Sequence, residues 1–146
     1  MLLLPIIALQ ILIATPVYSQ SKVTWQTLAD VSFTEKYSPE VEANFYYPHF
    51  GPSVKALAGK EVVLKGYMLI LGSKRDFYIL SRNSYASCFF CGRAGPESIV
   101  ELKLKPGHPR FWMDQVVIIK GRLKLNQDDI DHCNYILEDA EPYRPN

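Results

Sequence analysis

The stretch Gln115-Val116-Val117-Ile118-Ile119-Lys120-Gly121-Arg122-Leu123-Lys124-Leu125 sets Val117, Ile119, Gly121, Leu123 and Leu125 on one side and Lys120, Arg122 and Lys124 on the other. A period of two is the side-chain period of a β-strand, so the alternation predicts a strand with one dry face and one wet face. Upstream, Glu61-Val62-Val63-Leu64-Lys65-Gly66 repeats the pattern at the head of an apolar run that reaches Leu71. Each of these strands carries a glycine midway, and glycine inside a strand marks a bulge or a sharp bend. Two long strands that bend imply a sheet curved strongly enough to close on itself.

Three shorter strands complete the set. They are Asp76 to Leu80, Ile99 to Leu104 and Asn134 to Ala140. In the second, Val100, Leu102 and Leu104 face inward and Glu101 and Lys103 face outward. Five strands, two of them long and bent, predict an all-β fold with minor α content. Its form is a five-stranded OB-like Greek-key barrel with an N-terminal arm and one short helix; a β-sandwich fragment is the alternative. The connector from Pro106 to Asp114 holds two prolines and a glycine and is expected to carry little helix. Ahead of the barrel, Val31 to Thr34 alternates as a short strand. Lys36 to His49, rich in Tyr, Pro and Glu, is expected to be an irregular arm. Pro52 to Gly59 has the proline start and glycine stop of a compact helix. Tyr37, Phe45, Tyr46, Tyr47 and Phe50 make this arm aromatic, suited to packing over a barrel opening or to meeting a partner. The expected division is a signal peptide over 1–19, the arm and helix over 20–59 and the barrel over 60–146.

The chain of 146 residues carries 16 positive and 15 negative side chains, a net charge of +1. That balance argues against a nucleic-acid partner, which normally requires a basic excess. No Gly-rich phosphate loop, G-x-S-x-G or H-E-x-x-H is present, and no Ser-His-Asp order or paired carboxylates stand out, so no catalytic group is assigned and the protein is read as a non-enzyme. Residues Leu2 to Val17 are uncharged and mostly Leu, Ile and Ala, too short a run for a comfortable membrane span. With Val17 and Ser19 ahead of a cut after Ser19 or Gln20, the segment reads as a signal peptide that exports the chain to the periplasm or beyond, leaving no stable membrane span. An uncleaved anchor is the alternative.

Cys88-Phe89-Phe90-Cys91-Gly92 is the most chemical segment. A redox dithiol wants its first cysteine at a helix N-terminus, and Gly92-Arg93-Ala94-Gly95-Pro96 argues against a helix there. Two readings stay open. One is a Cys88–Cys91 disulfide closing a small ring in an oxidising compartment. The other is a metal knuckle, for which zinc needs four N or S ligands. In an OB-type barrel the third and fifth strands lie side by side and parallel. Cys91 precedes the third and His132-Cys133 precedes the fifth, so Cys88, Cys91 and Cys133 or His132 are expected at one rim. His108 is a more remote candidate. Asp128, Asp129 and Asp131 lack calcium-loop spacing and read as a solvated turn, with Glu138, Asp139 and Glu141 following. The stripe Lys120, Arg122, Lys124 reads as a solvated face that an anion could also use.

Several segments carry a resemblance. They are Pro48-His49-Phe50-Gly51-Pro52-Ser53-Val54-Lys55-Ala56-Leu57-Ala58-Gly59-Lys60-Glu61-Val62, Gly66-Tyr67-Met68, Ser87-Cys88-Phe89-Phe90-Cys91 and Gly95-Pro96-Glu97-Ser98. Over Trp25 to Glu141 the chain resembles an uncharacterised bacterial family of small exported proteins, a domain of unknown function, in particular its Bacteroidetes-type branch. The resemblance implies export and an OB-like barrel. Some relatives are lipoproteins encoded beside transporter components and linked to metal supply, which implies a transporter or another envelope protein as partner. This chain departs from them in having no cysteine before Cys88 to carry a lipid. Together these readings describe an exported binding protein, holding zinc through its Cys-x-x-Cys knuckle or, without metal, acting as a periplasmic partner of a membrane transport complex.

Overall fold

Strand β4 (Glu61–Leu71) is the spine of the molecule, because it changes partner at its bend. In the computed structural model, which describes residues 21–73, 76–87 and 94–145, residues 61–67 of β4 pair antiparallel with β7 (Val116–Leu125), and residues 67–71 pair with β5 (Phe77–Ser81). The sheet runs β4-β5-β6-β8-β7 and closes through β7 back to β4, with β6 (Ile99–Leu104) and β8 (Tyr135–Pro142) parallel. This is the Greek-key order of a five-stranded OB-type barrel. A two-residue strand β1 (Ser21–Lys22) adds to β4 in parallel.

Both mid-strand glycines sit where the expected bends fall. A Cβ on Gly66 would lie 2.6 Å from the Ser81 carbonyl oxygen and 2.9 Å from Leu80 Cγ, so only glycine lets β4 cross β5 this closely. At Gly121 the β7–β8 register shifts between Lys120 and Arg122. No helix forms between β6 and β7.

The interior is filled by alternate residues of the five strands: Leu64, Met68, Leu80, Val100, Ile119, Leu123 and Leu137 are buried. Each such side chain stabilises the fold by about 1.5–3 kcal/mol. Tyr135 is fully buried; its hydroxyl donates to the Leu28 carbonyl at 2.7 Å, and its ring lies 5.5 Å from that of Phe50. Leu28, Phe50 and Val54 thus join the same core from ahead of the barrel.

Four sequence expectations need correction. Lys36 to His49 is not irregular. With Val31 it forms a β-hairpin of β2 (Val31–Ser38) and β3 (Ala43–Phe50), in register from Val31–Phe50 to Ser38–Ala43. Pro48 is tolerated because a two-stranded sheet leaves one edge of each strand unpaired, and cross-strand contacts such as Phe33–Tyr46 supply the packing. The single helix becomes two short ones, α1 (Trp25–Leu28) and α2 (Pro52–Lys55), plus a 3-10 turn at Pro96–Ser98. α2 starts at Pro52 as expected, where the Asp30 carboxylate accepts the Ser53 N–H at 2.9 Å, and ends early, at Lys55. The sheet also has more than one dry face: Leu69, Ile79 and Glu101 point away from the barrel interior, yet they are 0%, 3% and 1% exposed. Finally, the Lys120, Arg122 and Lys124 stripe is not simply a solvated face: it pairs across the strands with Glu138, Asp139 and Glu141 of β8.

Candidate functional site

The segment between β7 and β8 folds back over the outer face of β6. Asn126 fixes its shape: its side-chain amide donates to the Asp129 carbonyl at 2.7 Å, and its Oδ1 accepts the Asp129 N–H at 3.1 Å. Gln127 ties the segment to the hairpin through the Pro48 carbonyl at 3.0 Å. The turn ends at His132-Cys133, directly over Glu101.

Glu101 is the electrostatic centre of this region. Its carboxylate receives His132 Nδ1 at 2.9 Å, the Cys133 backbone N–H at 3.1 Å and Lys103 Nζ at 2.5 Å. A buried carboxylate is tolerated only when its oxygens are saturated by donors or opposite charge. Burial pushes its pKa up, but the bonds from Lys103, the Cys133 N–H and His132 outweigh it and hold the group below the ordinary glutamate value. Cys133 is half-buried, and burial, reinforced by the neighbouring Glu101 charge, pushes its thiol up to about 12. Unassisted, it is a neutral thiol and a poor nucleophile.

With Nδ1 committed to Glu101, the Nε2 atom of His132 is the free one, 3.9 Å from Asp129 Oδ2. His132 and Cys133 line a cavity of about 460 Å³ together with Phe45 and Tyr46 of the hairpin and Pro96 and Ile99 at the head of β6. Adjacent residues in extended chain point opposite ways, but here the turn presents both to the same cavity. His108 does not join them. It lies on the β6–β7 connector at the opposite end of the barrel, stacked on Phe111 with ring centroids 5.8 Å apart and bonded to the Pro109 carbonyl.

Cys88 and Cys91 lie outside the described residues. Among the described residues no group of three or more His, Cys, Asp or Glu side chains is placed to hold a metal ion. Any ion bound beside His132 and Cys133 therefore needs ligands from elsewhere in the chain. Glu101 is the residue of this cluster that the sequence reading missed. Alternation placed it outward, correctly, and only the later segment that covers it makes it buried.

The class of protein follows from the strand order: a small all-β protein built on a closed OB-type barrel with an appended hairpin. Its fold is shared with a crystal structure of a DUF3299-family protein from Pseudomonas aeruginosa PAO1, at a TM-score of 0.53 and 19% identity, over 88% of this chain and 99% of that one. At that identity the likeness establishes the fold alone. No protein-family model and no curated protein matches the chain. No helix among the described residues is long and apolar enough to cross a membrane.

Proposed function

We propose that the protein is an exported, non-enzymatic binding protein that holds zinc between Cys88, Cys91 and the His132-Cys133 pair. The observation that carries this reading is the grip of Glu101 on His132 Nδ1. A zinc-bound histidine characteristically gives its other ring nitrogen to a carboxylate, which fixes the tautomer and turns the free nitrogen to the metal. The parallel pairing of β6 and β8 supports the same reading, because it sets Pro96 and Ile99 beside His132 and Cys133, and Cys91 lies five residues ahead of Pro96. Bound zinc would displace the proton of the Cys133 thiol and supply the charge that makes a thiolate stable at this half-buried position.

The test is metal analysis and thiol counting on protein purified from the periplasm, for wild type, Cys133→Ser and His132→Gln. About one zinc per chain in the wild type, reduced in both variants, supports the proposal. No metal, with a single free thiol per chain, overturns it in favour of a Cys88–Cys91 disulfide. A metal-free interaction module is the second reading. It is favoured by the hairpin, whose Tyr37, Val41 and Tyr46 are each more than half exposed and offer a surface to a transporter or another envelope protein.

A further inference from the structure

A second concavity, of about 440 Å³, opens along the middle of β4, lined by none of the residues around His132 and Cys133. Three strands meet there. Tyr67 of β4 stands opposite Val116 of β7 on one side and Ser81 of β5 on the other. Trp25 forms the floor. Its indole N–H donates to the Lys65 carbonyl at 2.8 Å, and the missing side chain at Gly66 lets the ring lie against the strand, with Trp25 Cζ2 only 3.0 Å from where a Cβ would stand. Thr24 caps α1 and so fixes the entry of Trp25. The floor is therefore held before any ligand arrives. Val116, an apolar residue 52% exposed, forms part of the wall.

The charges around this groove are of one sign. Lys65 and Arg82 line it, and no carboxylate does. The cations on and just after β6 and those of β7 are matched: Lys103 with Glu101, Lys105 and Lys120 with Glu141, and Arg122 and Lys124 with Glu138. Lys65 and Arg82 make no ion pair among the described residues. Arg82 directly follows β5, and its position is set by its backbone N–H, which donates to the Ser98 carbonyl at 2.9 Å. Two unmatched cations beside a rigid aromatic floor and an exposed apolar wall select a ligand with an anionic head on an apolar body, in a space within the usual range for small-molecule sites.

We propose that this groove binds a small amphipathic carboxylate, with Arg82 and Lys65 on the head group and Trp25, Tyr67 and Val116 against the apolar body. The guanidinium fork suits either a carboxylate or a phosphate, so the choice between them rests on the backbone donors. Phosphate sites draw on backbone N–H groups at a helix start. The only helix start here, that of the four-residue α1, already has its Thr27 N–H bonded to Thr24 Oγ1. The proposal is independent of the metal reading.

The chain has two tryptophans, and Trp112 is 58% exposed, so Trp112→Phe leaves Trp25 as the sole indole reporter at little structural cost. In that background the emission of Trp25 is titrated with 3-phenylpropanoate, 3-phenylpropanol, 3-phenylpropylammonium and phenyl phosphate. The expected result is saturable binding of the carboxylate at least about tenfold tighter than of the alcohol, the ammonium or the phosphate. That preference should be lost in Lys65→Gln/Arg82→Gln, with alcohol binding unchanged; both residues are exposed, so the double variant folds. Equal affinity for carboxylate and alcohol, no saturable change, or an unchanged preference in the double variant overturns the site. Tighter binding of phenyl phosphate overturns the carboxylate assignment.

Discussion

The Nδ1 atom of His132 lies 2.9 Å from Oε1 of Glu101, a side chain 1% exposed on the outer face of β6. The bond joins residues 31 positions apart and locks the turn before β8 onto the barrel wall. Glu101→Gln keeps the volume but removes the charge that Lys103 and His132 face. Lys103 is about half exposed and can swing to water, so the loss falls short of a fully buried pair, at about 2–3 kcal/mol. Urea unfolding of the two proteins measures it. A change below about 0.5 kcal/mol would show that the contact carries no net stability.

The same carboxylate gives stability a pH dependence of known sign. Its native pKa is held below the ordinary value by Lys103, the Cys133 N–H and His132 acting against burial. The unfolded chain therefore takes up the proton first on acidification. Its contribution is complete above the ordinary glutamate pKa of about 4.3 and is lost as the pH falls through the lower native value. The stability difference between wild type and Glu101→Gln should be constant from pH 6 to about pH 5 and shrink below about pH 4. A difference that grows in acid contradicts this assignment.

How far the sequence reveals this arrangement differs between its parts. The barrel is legible because β6 and the second half of β7 alternate, β4 is a long apolar run, and the two mid-strand glycines mark where β4 changes partner and where the β7–β8 register shifts. The hairpin is not, because Pro39, Pro48 and the scattered glutamates have the composition of a loop, while the pairing that overrides it, such as Phe33 against Tyr46, is a cross-strand property. Half of the candidate site follows from topology, since parallel β6 and β8 set the Ile99 and His132 segments side by side. Glu101 is invisible for a different reason. Periodicity reports which face of a strand a residue occupies, but not whether another segment later covers that face.

Gly66→Ala tests the bend of β4. The added methyl carbon would stand 2.6 Å from the Ser81 carbonyl oxygen, a backbone atom held in the β4–β5 ladder. Neither strand can yield without losing pairing, so the variant should lose about 1–3 kcal/mol, the usual range for overpacking, and melt several degrees lower. Gly59→Ala, at a positive φ of 75° with open space around it, separates backbone strain from crowding. It should cost less, about 1 kcal/mol. A loss at Gly66→Ala no greater than that at Gly59→Ala would show that the Ser81 carbonyl gives way to the added methyl at little cost.

The charge ladder between β7 and β8 predicts a small effect. Arg122 reaches Glu138 at 3.1 Å and Asp139 at 3.3 Å but is 52% exposed. Exposed pairs are screened and cost side-chain entropy, so Arg122→Ala should change stability by less than about 1 kcal/mol, with most of the effect gone in 1 M salt. Denaturant midpoints at low and high salt decide this. A larger, salt-independent loss would mean that the arginine stem, rather than its charge, covers the sheet.

The Cys133 thiol separates folding from metal binding. Burial, with the Glu101 charge beside it, pushes its pKa up to about 12. In the native protein at pH 8 it should react with a disulfide reagent far more slowly than in urea, where the thiol titrates near its ordinary value of about 8.5. Because the native pKa is raised, the stability it contributes is complete below that ordinary value and declines as the pH climbs toward 12. Zinc reverses this preference by binding the thiolate. In weakly buffered solution at pH 7, adding zinc to the reduced protein should release about one proton more per chain from wild type than from Cys133→Ser, read with a pH indicator. Equal release from both proteins, with zinc still bound, would place Cys133 outside the metal shell and leave His132 as the only ligand from the turn before β8.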